Sequence, residues 1–197
     1  YMKMAGQILE NVMDTAVRLI EPGVREGDVA AEVYKAMIAG TPEFTGDYSA
    51  IIPIMPSGRR TTAAHLSWTD RTYQKDEIVL LELSGCKYRY HAPMSRTVIT
   101  GRPTPELEEI SNTVIQGLNT VVDFIRPGIR AEEIEAKWRQ AIAGSRVVKT
   151  SRIGYAFGLN YPPDWGEHTI SLRPGDTTVL EPGMTIHVMP GIWTNTL

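Results

Sequence analysis

Cysteine is almost absent from this chain, and long apolar runs are absent altogether. The 197 residues include one cysteine, Cys86, which excludes an internal disulfide and is typical of a reducing cytoplasm. No apolar run approaches the roughly 20 residues that span a bilayer, and no signal-peptide pattern opens the chain. The sequence therefore predicts a cytoplasmic protein that has no membrane partner.

An excess of positive charge is also absent, and histidine is scarce. The formal net charge is -3, and both signs are mixed throughout, so the basic footprint of a nucleic-acid-binding protein is missing. Four histidines occur, and neither HExxH nor CxxC is among the motifs. Apolar residues make up 42% of the chain. The composition is that of an ordinary globular domain that does not bind nucleic acid.

Two parts of the chain repeat one pattern. Apolar periodicity predicts amphipathic helices over 1–21 and 106–126, each stopped by Pro-Gly and each followed by a second helix, the later one over 131–143. The two stops share PG-[VI]-R and lie 105 residues apart. Strand-like segments follow both helix pairs, which indicates an internal duplication. We predict an α+β fold, with two duplicated helix-helix-strands halves around one curved antiparallel sheet.

Short apolar runs and turn residues predict the strands. The stretch 82–97, ELSGCKYRYHAPMSRT, is typical of two strands joined by a tight turn, with an acid and a histidine on one surface. A short strand over 63–68 is expected to carry His65. In the second half, 178–189 predicts a hairpin. Two consecutive prolines make 161–167 an irregular loop.

Several side chains in these segments suit chemistry, and each also has a structural explanation. Glu82 follows four apolar residues, so it is either a functional carboxylate or a strand-end residue that meets water. His65 is either an acid–base group or a hydrogen-bonded structural histidine. Trp165 lies in a rigid loop of a kind that often carries function, or it packs on the core. The residues alone leave these alternatives open.

Several motifs, taken in chain order, resemble one superfamily. H-x(16)-E-x(13)-R-T, G-x-x-x-G-L and L-x-P-G-M-x-x-x-x-x-P-G, with the duplicated halves, resemble the pita-bread fold of the M24-like methionine aminopeptidases, prolidases and creatinase. Within it, SGRRTTAAHLSW, ELSGCKYRYHAPMSRTV and HVMPGIW are similar to ectoine hydrolases. The resemblance implies a single catalytic domain over 1–197, without the upstream domain and last strand of family members, that forms a homodimer.

The resemblance also implies where metal ligands would stand. Metallopeptidases of this fold hold two divalent metals with two Asp, one His and two Glu. The visible positions fall on Glu82, Pro93, Tyr155 and Met189, and the last position would lie beyond Leu197. One carboxylate in four positions is too few for two hard cations. We therefore predict a metal-independent enzyme without a cofactor.

The resemblance implies a small-molecule substrate, an ectoine-like zwitterion that is opened to N-acetyl-L-2,4-diaminobutyrate. Glu82 is then the expected nucleophile. His65, at the spacing of the catalytic histidine of creatinase, is the expected acid and base. Two alternatives remain: a metallopeptidase of the same fold, such as an Xaa-Pro dipeptidase, and a catalytically silent binding module. The expected substrate-binding residues are His91, Tyr155, Trp165, Glu167 and Trp193.

Overall fold

The computed structural model describes residues 1–194 of the chain. In this range no helix is both long and apolar enough to cross a membrane. The helices are α1 (Met2–Leu19), α2 (Glu26–Ala39), a 3₁₀ helix (Gly58–Thr62), α3 (Pro105–Phe124) and α4 (Ala131–Ala141). The strands are β1 (Ile78–Lys87), β2 (Tyr90–Ile99), β3 (Gly154–Phe157), β4 (Gly166–Ser171) and β5 (Ile186–Val188).

These elements belong to two compact units. Unit 1 contains 1–103, 158–165 and the described residues from 193, and unit 2 contains 104–157 and 166–192. Unit 1 holds the antiparallel pair β1-β2, and unit 2 holds an antiparallel sheet of order β4-β3-β5. The predicted α+β class with antiparallel strands is confirmed. Its strands form two sheets in the described range, where the sequence predicted one.

The core of unit 1 forms between its two helices and one face of β1. The stripe of α1 that includes Val12 is buried. Val79, Leu81 and Leu83 join the same apolar cluster as this stripe and α2. Because side chains alternate across a strand, the even-numbered residues of β1 point away from the helices. Glu82 therefore lies on the face of β1 that the helices do not cover.

The β1-β2 hairpin keeps an unbroken register along all its residue pairs. Its turn residues, Tyr88 and Arg89, have φ of 50° and 66°, the left-handed conformation that matches the twist of a two-residue hairpin. Neither is glycine, and this conformation costs roughly 1–2 kcal/mol per residue. The Arg89 side chain offsets part of that cost, because it stacks 4.1 Å from the Tyr48 ring and donates to the Asn160 carbonyl at 3.2 Å.

In unit 2, helices α3 and α4 pack around a second apolar cluster. Trp138 and Ile134 of α4 are buried there together with Ile153 and Leu172. Gly117 lets α3 approach α4 closely, because a Cβ at that position would lie 2.7 Å from Nε1 of Trp138. A larger residue at 117 would displace the tryptophan.

The two units repeat one backbone arrangement at the start of their second helices. In unit 1, the Gly23 N–H donates to the Tyr73 carbonyl at 2.9 Å. In unit 2, the Gly128 N–H donates to the Leu180 carbonyl at 2.8 Å. Both glycines have φ of 91°, a left-handed conformation that glycine adopts without steric cost. The internal duplication inferred from the PG-[VI]-R repeat therefore extends to the segments that precede β1 and β5.

The short strand predicted over 63–68 is wrong. Residues 58–62 form the 3₁₀ helix, and His65 follows in a turn with φ of 62°. A strand requires a negative φ at every residue, so the left-handed backbone at His65 ends any extended run. Residues 63–65 are exposed and residues 66–68 are half-buried, so burial in this segment does not alternate as it would along a strand.

The hairpin predicted over 178–189 is also wrong. Leu180 pairs with Ile129 at the start of α4 through an N–H to carbonyl bond of 2.8 Å. In this segment only β5 forms a strand, and its partner is β3. The irregular loop predicted over 161–167 is correct up to Trp165, while Gly166 and Glu167 begin β4.

Candidate active site

Glu82 is a buried carboxylate in the middle of a strand. It is 5% exposed and lies on the face of β1 opposite the helices. Its backbone is held on one side by Ile54, because the Glu82 N–H donates to the Ile54 carbonyl at 2.9 Å and the Ile54 N–H returns a bond of 3.2 Å. The backbone of Glu82 is therefore fixed, and its carboxylate moves only by rotation about the side-chain bonds.

Ser95 lies directly opposite Glu82 on β2. The backbone N–H and carbonyl of Glu82 bond to Ile54, so the Glu82–Ser95 pair is of the non-hydrogen-bonded type. The side chains of such pairs approach most closely, with Cα atoms about 4.5 Å apart. Both side chains point to the same face of the hairpin. Ser95 was not among the predicted site residues.

Pro93 fits the interior of β2 because of the same alternation. It stands opposite Ser84, two residues along from the Glu82–Ser95 pair, so its missing N–H breaks no bond to β1. The N–H of His91, two residues before, points away from β1 and donates to the Gly158 carbonyl at 3.0 Å. Pro93 therefore adds no metal-binding atom to the face that carries Glu82.

The structure assigns His91 a structural position. The residue is fully buried, and its Nε2 accepts the Ala50 N–H at 3.0 Å. Its Nδ1 lies 3.3 Å from the Gly158 carbonyl, so the proton is on Nδ1. Burial lowers the pKa of His91, while the bond to Gly158 opposes that shift. Both ring nitrogens bond to backbone, so His91 connects the segments of Ala50 and Gly158, and its contact with substrate stays a prediction.

His65 is exposed, in the turn that follows the 3₁₀ helix. Its neighbour Leu66 accepts a bond of 3.1 Å from the Met55 N–H, and Met55 follows Ile54, the partner of Glu82. Two backbone hydrogen-bonded steps, from Glu82 to Ile54 and from Met55 to Leu66, therefore connect the strand of Glu82 to the turn of His65. The exposed His65 therefore stands one residue before Leu66, which is bonded to the segment that pairs with Glu82.

The two predicted tryptophans of unit 1 differ in exposure. Trp165 is 1% exposed, which favours the core-packing alternative that the sequence left open. Trp193 is half-buried. The loop that leads to Trp165 is tied to the hairpin through Arg89, whose carbonyl accepts the Asn160 N–H at 3.1 Å.

The predicted residues of unit 2 also divide into buried and exposed. Glu167 is exposed on β4. Tyr155 is buried on β3, and its hydroxyl lies 3.2 Å from Nδ1 of His187 on β5. Burial, with a smaller contribution from the positive charge of Arg152, lowers the pKa of His187 to about 4. Sequence reasoning assigned no role to His187, and only the strand pairing places it beside Tyr155.

The described side chains do not fit the paired metals that the fold implies. Within residues 1–194, no group of three or more His, Cys, Asp or Glu side chains is arranged to hold a metal ion. The internal duplication explains part of this lack of metal ligands. Glu82 stands nine residues after Tyr73, and Met189 stands nine residues after Leu180, so the second unit carries a thioether where the first carries a carboxylate.

Known proteins resemble this chain along nearly its whole length. The model of metallopeptidase family M24 matches residues 1–196. An uncharacterized hydrolase/peptidase of Sinorhizobium fredii is 44% identical over 98% of this chain and 49% of its own length. The ectoine hydrolase of Halomonas elongata is 41% identical over 98% of this chain and 50% of its own length. The chain thus spans about half the length of these relatives.

Solved structures confirm the predicted pita-bread fold. The prolidase from Pyrococcus furiosus superposes with a TM-score of 0.86 at 26% identity, covering 100% of this chain and 56% of its own. The Xaa-Pro dipeptidase from Bacillus anthracis gives a TM-score of 0.86 at 27% identity, covering 100% of this chain and 53% of its own. With the family match and the relatives, these superpositions establish that the chain belongs to metallopeptidase family M24.

Proposed function

We propose that this protein is a metal-independent hydrolase that opens the cyclic amidine of ectoine to N-acetyl-L-2,4-diaminobutyrate. The observation that carries the proposal is the buried carboxylate of Glu82, on the same face of the hairpin as Pro93 and opposite the helices. The 41% identity to the ectoine hydrolase of Halomonas elongata over 98% of the chain supports it.

Glu82 is the proposed nucleophile. Ectoine carries a delocalised amidinium, and a carboxylate with little access to water pairs strongly with such a cation. Burial at 5% exposure leaves the carboxylate few water molecules to lose when the substrate binds. One carboxylate oxygen attacks the amidinium carbon and forms a C–O bond, while the π electrons of the C–N bond move to a ring nitrogen.

His65 is the proposed proton carrier. It protonates the ring nitrogen that leaves, so the ring C–N bond breaks and a covalent intermediate on Glu82 remains. His65 then takes a proton from a water molecule, which attacks the same carbon and releases the acetamide and the Glu82 carboxylate. The cycle consumes one water and breaks one C–N bond. The backbone bonds that connect the turn of His65 to the segment paired with Glu82 support this assignment of roles.

The donor set supports a reaction without metal. Paired divalent cations need several oxygen or imidazole ligands. Of the four positions at which the resemblance places ligands, Pro93 and Met189 offer no oxygen or imidazole and Tyr155 offers a phenol. Glu82 alone supplies a carboxylate, and it is better suited to the substrate cation than to two metals.

Ectoine turnover tests the proposal. The protein is incubated with ectoine in buffer that contains a chelator, and the acetyl methyl signal of the product is followed by proton NMR. We expect product to form at the same rate with and without chelator. A rate that depends on added divalent metal contradicts the metal-independent reaction.

A second candidate is an Xaa-Pro dipeptidase, which the superposition on the prolidase from Pyrococcus furiosus favours. The same protein is therefore assayed with an Xaa-Pro dipeptide and added manganese. We expect no cleavage, because the donor set lacks the ligands for a metal pair. Release of free proline in proportion to bound manganese would establish the peptidase instead.

A further inference from the structure

Ser95 carries a buried hydroxyl that has no hydrogen-bond partner within residues 1–194. A buried polar atom normally finds a partner, and each exception calls for an explanation. Ser95 lies directly opposite Glu82, in the pair whose side chains approach most closely. The hydroxyl is therefore a donor without an acceptor, next to a carboxylate.

Two neighbouring polar residues on this face are already engaged. The Ser84 hydroxyl donates to the Gly85 carbonyl at 2.8 Å. Both nitrogens of His91 bond to backbone groups. Pro93, between His91 and Ser95, has no side-chain donor. Ser95 thus keeps a hydroxyl available opposite Glu82 when the Glu82 side chain changes its rotamer.

The reach of the two side chains matches this arrangement. Opposed residues in an antiparallel pair have Cβ atoms about 4.5–5.5 Å apart. A serine Oγ is one bond from its Cβ, and a glutamate carboxylate is two bonds from its own. A single rotamer change of Glu82 therefore brings one carboxylate oxygen within hydrogen-bond distance of Ser95.

We propose that Ser95 is a positioning residue for Glu82, whose hydroxyl donates to one carboxylate oxygen and directs the other toward the substrate carbon. The inference rests on the proposed function, because it assumes that Glu82 reacts. The hydrogen bond fixes a flexible side chain in one rotamer, which holds the attacking oxygen in line with the substrate carbon. This hydrogen bond forms in the complex with substrate, and the Ser95 hydroxyl is unpaired before substrate binds.

The test compares Ser95→Ala with Ser95→Thr. In Ser95→Ala we expect kcat to fall by about tenfold, the effect of losing one positioning hydrogen bond, with KM changed less than about twofold. Ser95→Thr keeps the hydroxyl, and we expect it to restore kcat. Ser84→Ala is the matched control, a buried serine on the same face, and we expect its kcat to stay at the wild-type value.

Thermal unfolding separates positioning from a structural role. Removing an unpaired buried hydroxyl leaves no partner unsatisfied, so the melting temperature of Ser95→Ala should equal or exceed that of wild type. A lower kcat in a variant that is equally stable supports positioning. A wild-type kcat in Ser95→Ala, or an equal loss in Ser95→Thr, overturns it.

A failure of the proposed function can be told apart from a failure of the role proposed for Ser95. If the wild-type protein does not open ectoine, or if Glu82→Gln opens it as fast as wild type, the proposed function fails and the inference falls with it. If wild type is active, Glu82→Gln is inactive and Ser95→Ala is normal, only the role of Ser95 is wrong.

Discussion

The hydroxyl of Tyr155 and Nδ1 of His187 lie 3.2 Å apart on the paired strands β3 and β5. Their rings meet edge to face with centroids 5.4 Å apart, and both residues are buried. In this environment a neutral imidazole is strongly preferred, because burial disfavours its charged form. The stability of unit 2 therefore depends on the protonation state of His187.

We predict that His187 makes the stability of this protein depend on pH. Its folded-state pKa is about 4, below the value of about 6.5 for an unfolded chain, so the unfolded chain binds the proton more readily. The contribution is complete above pH 6.5 and is lost as pH falls toward 4, by up to about 3 kcal/mol.

Urea unfolding at pH 7 and pH 5 measures this dependence. In His187→Asn we expect a smaller loss of unfolding free energy between the two pH values than in wild type. His91, whose pKa is also lowered by burial, accounts for part of the loss that remains. An identical loss in wild type and variant would show that His187 does not titrate as expected.

A second prediction concerns Glu26, the first residue of α2. Its carboxylate is fully buried and accepts bonds from the Ser57 hydroxyl, from Thr69 through its N–H at 2.6 Å, and from Arg71 at 3.3 Å. Removing one member of a buried charged network leaves the others unpaired. We expect Glu26→Ala to lower the free energy of unfolding by about 3–5 kcal/mol.

Asp28→Ala is the matched control for Glu26→Ala. Asp28 is an acid of the same helix turn, but its ion pair with Arg25 is exposed, so we expect almost no change in stability. Equal effects of the two substitutions, measured by urea unfolding, would show that the Glu26 network does not stabilise unit 1.

A third prediction concerns the single cysteine. Cys86 is 1% exposed, and burial raises its pKa to about 11. Because the thiolate is the reactive species, we expect no reaction with a thiol reagent at pH 8 in the native state and one equivalent after denaturation. Cys86→Ala should keep full ectoine turnover. Rapid native labelling at Cys86 would contradict this expectation.

The sequence predicted those parts of the fold that depend on local patterns. Apolar periodicity predicted helices over 1–21 and 106–126. In the structure they span Met2–Leu19 and Pro105–Phe124. The hairpin of 82–97 followed from its two apolar runs and tight turn. These signals involve residues close in the chain, so tertiary contacts did not override them.

Features that depend on contacts between residues far apart in the chain could not be predicted from the sequence. The left-handed turn at His65 has no glycine or asparagine to mark it. The pairing of Leu180 with Ile129 depends on the position of α4, which no local pattern encodes. The sites of Ser95 and His187 emerge only from strand register. The catalytic roles of Glu82 and His65 remain predictions. The spacing of the two residues in the sequence supports these roles, and kinetic measurements test them.

Ectoine turnover by Glu82→Gln decides whether Glu82 is the nucleophile. The substitution keeps the size of the side chain and removes the nucleophilic carboxylate, so circular dichroism and melting temperature should match wild type. We predict that the rate of acetyl product formation, followed by NMR, falls by about 10³-fold or more. Product formation by the folded variant within about tenfold of the wild-type rate would contradict a covalent role for Glu82.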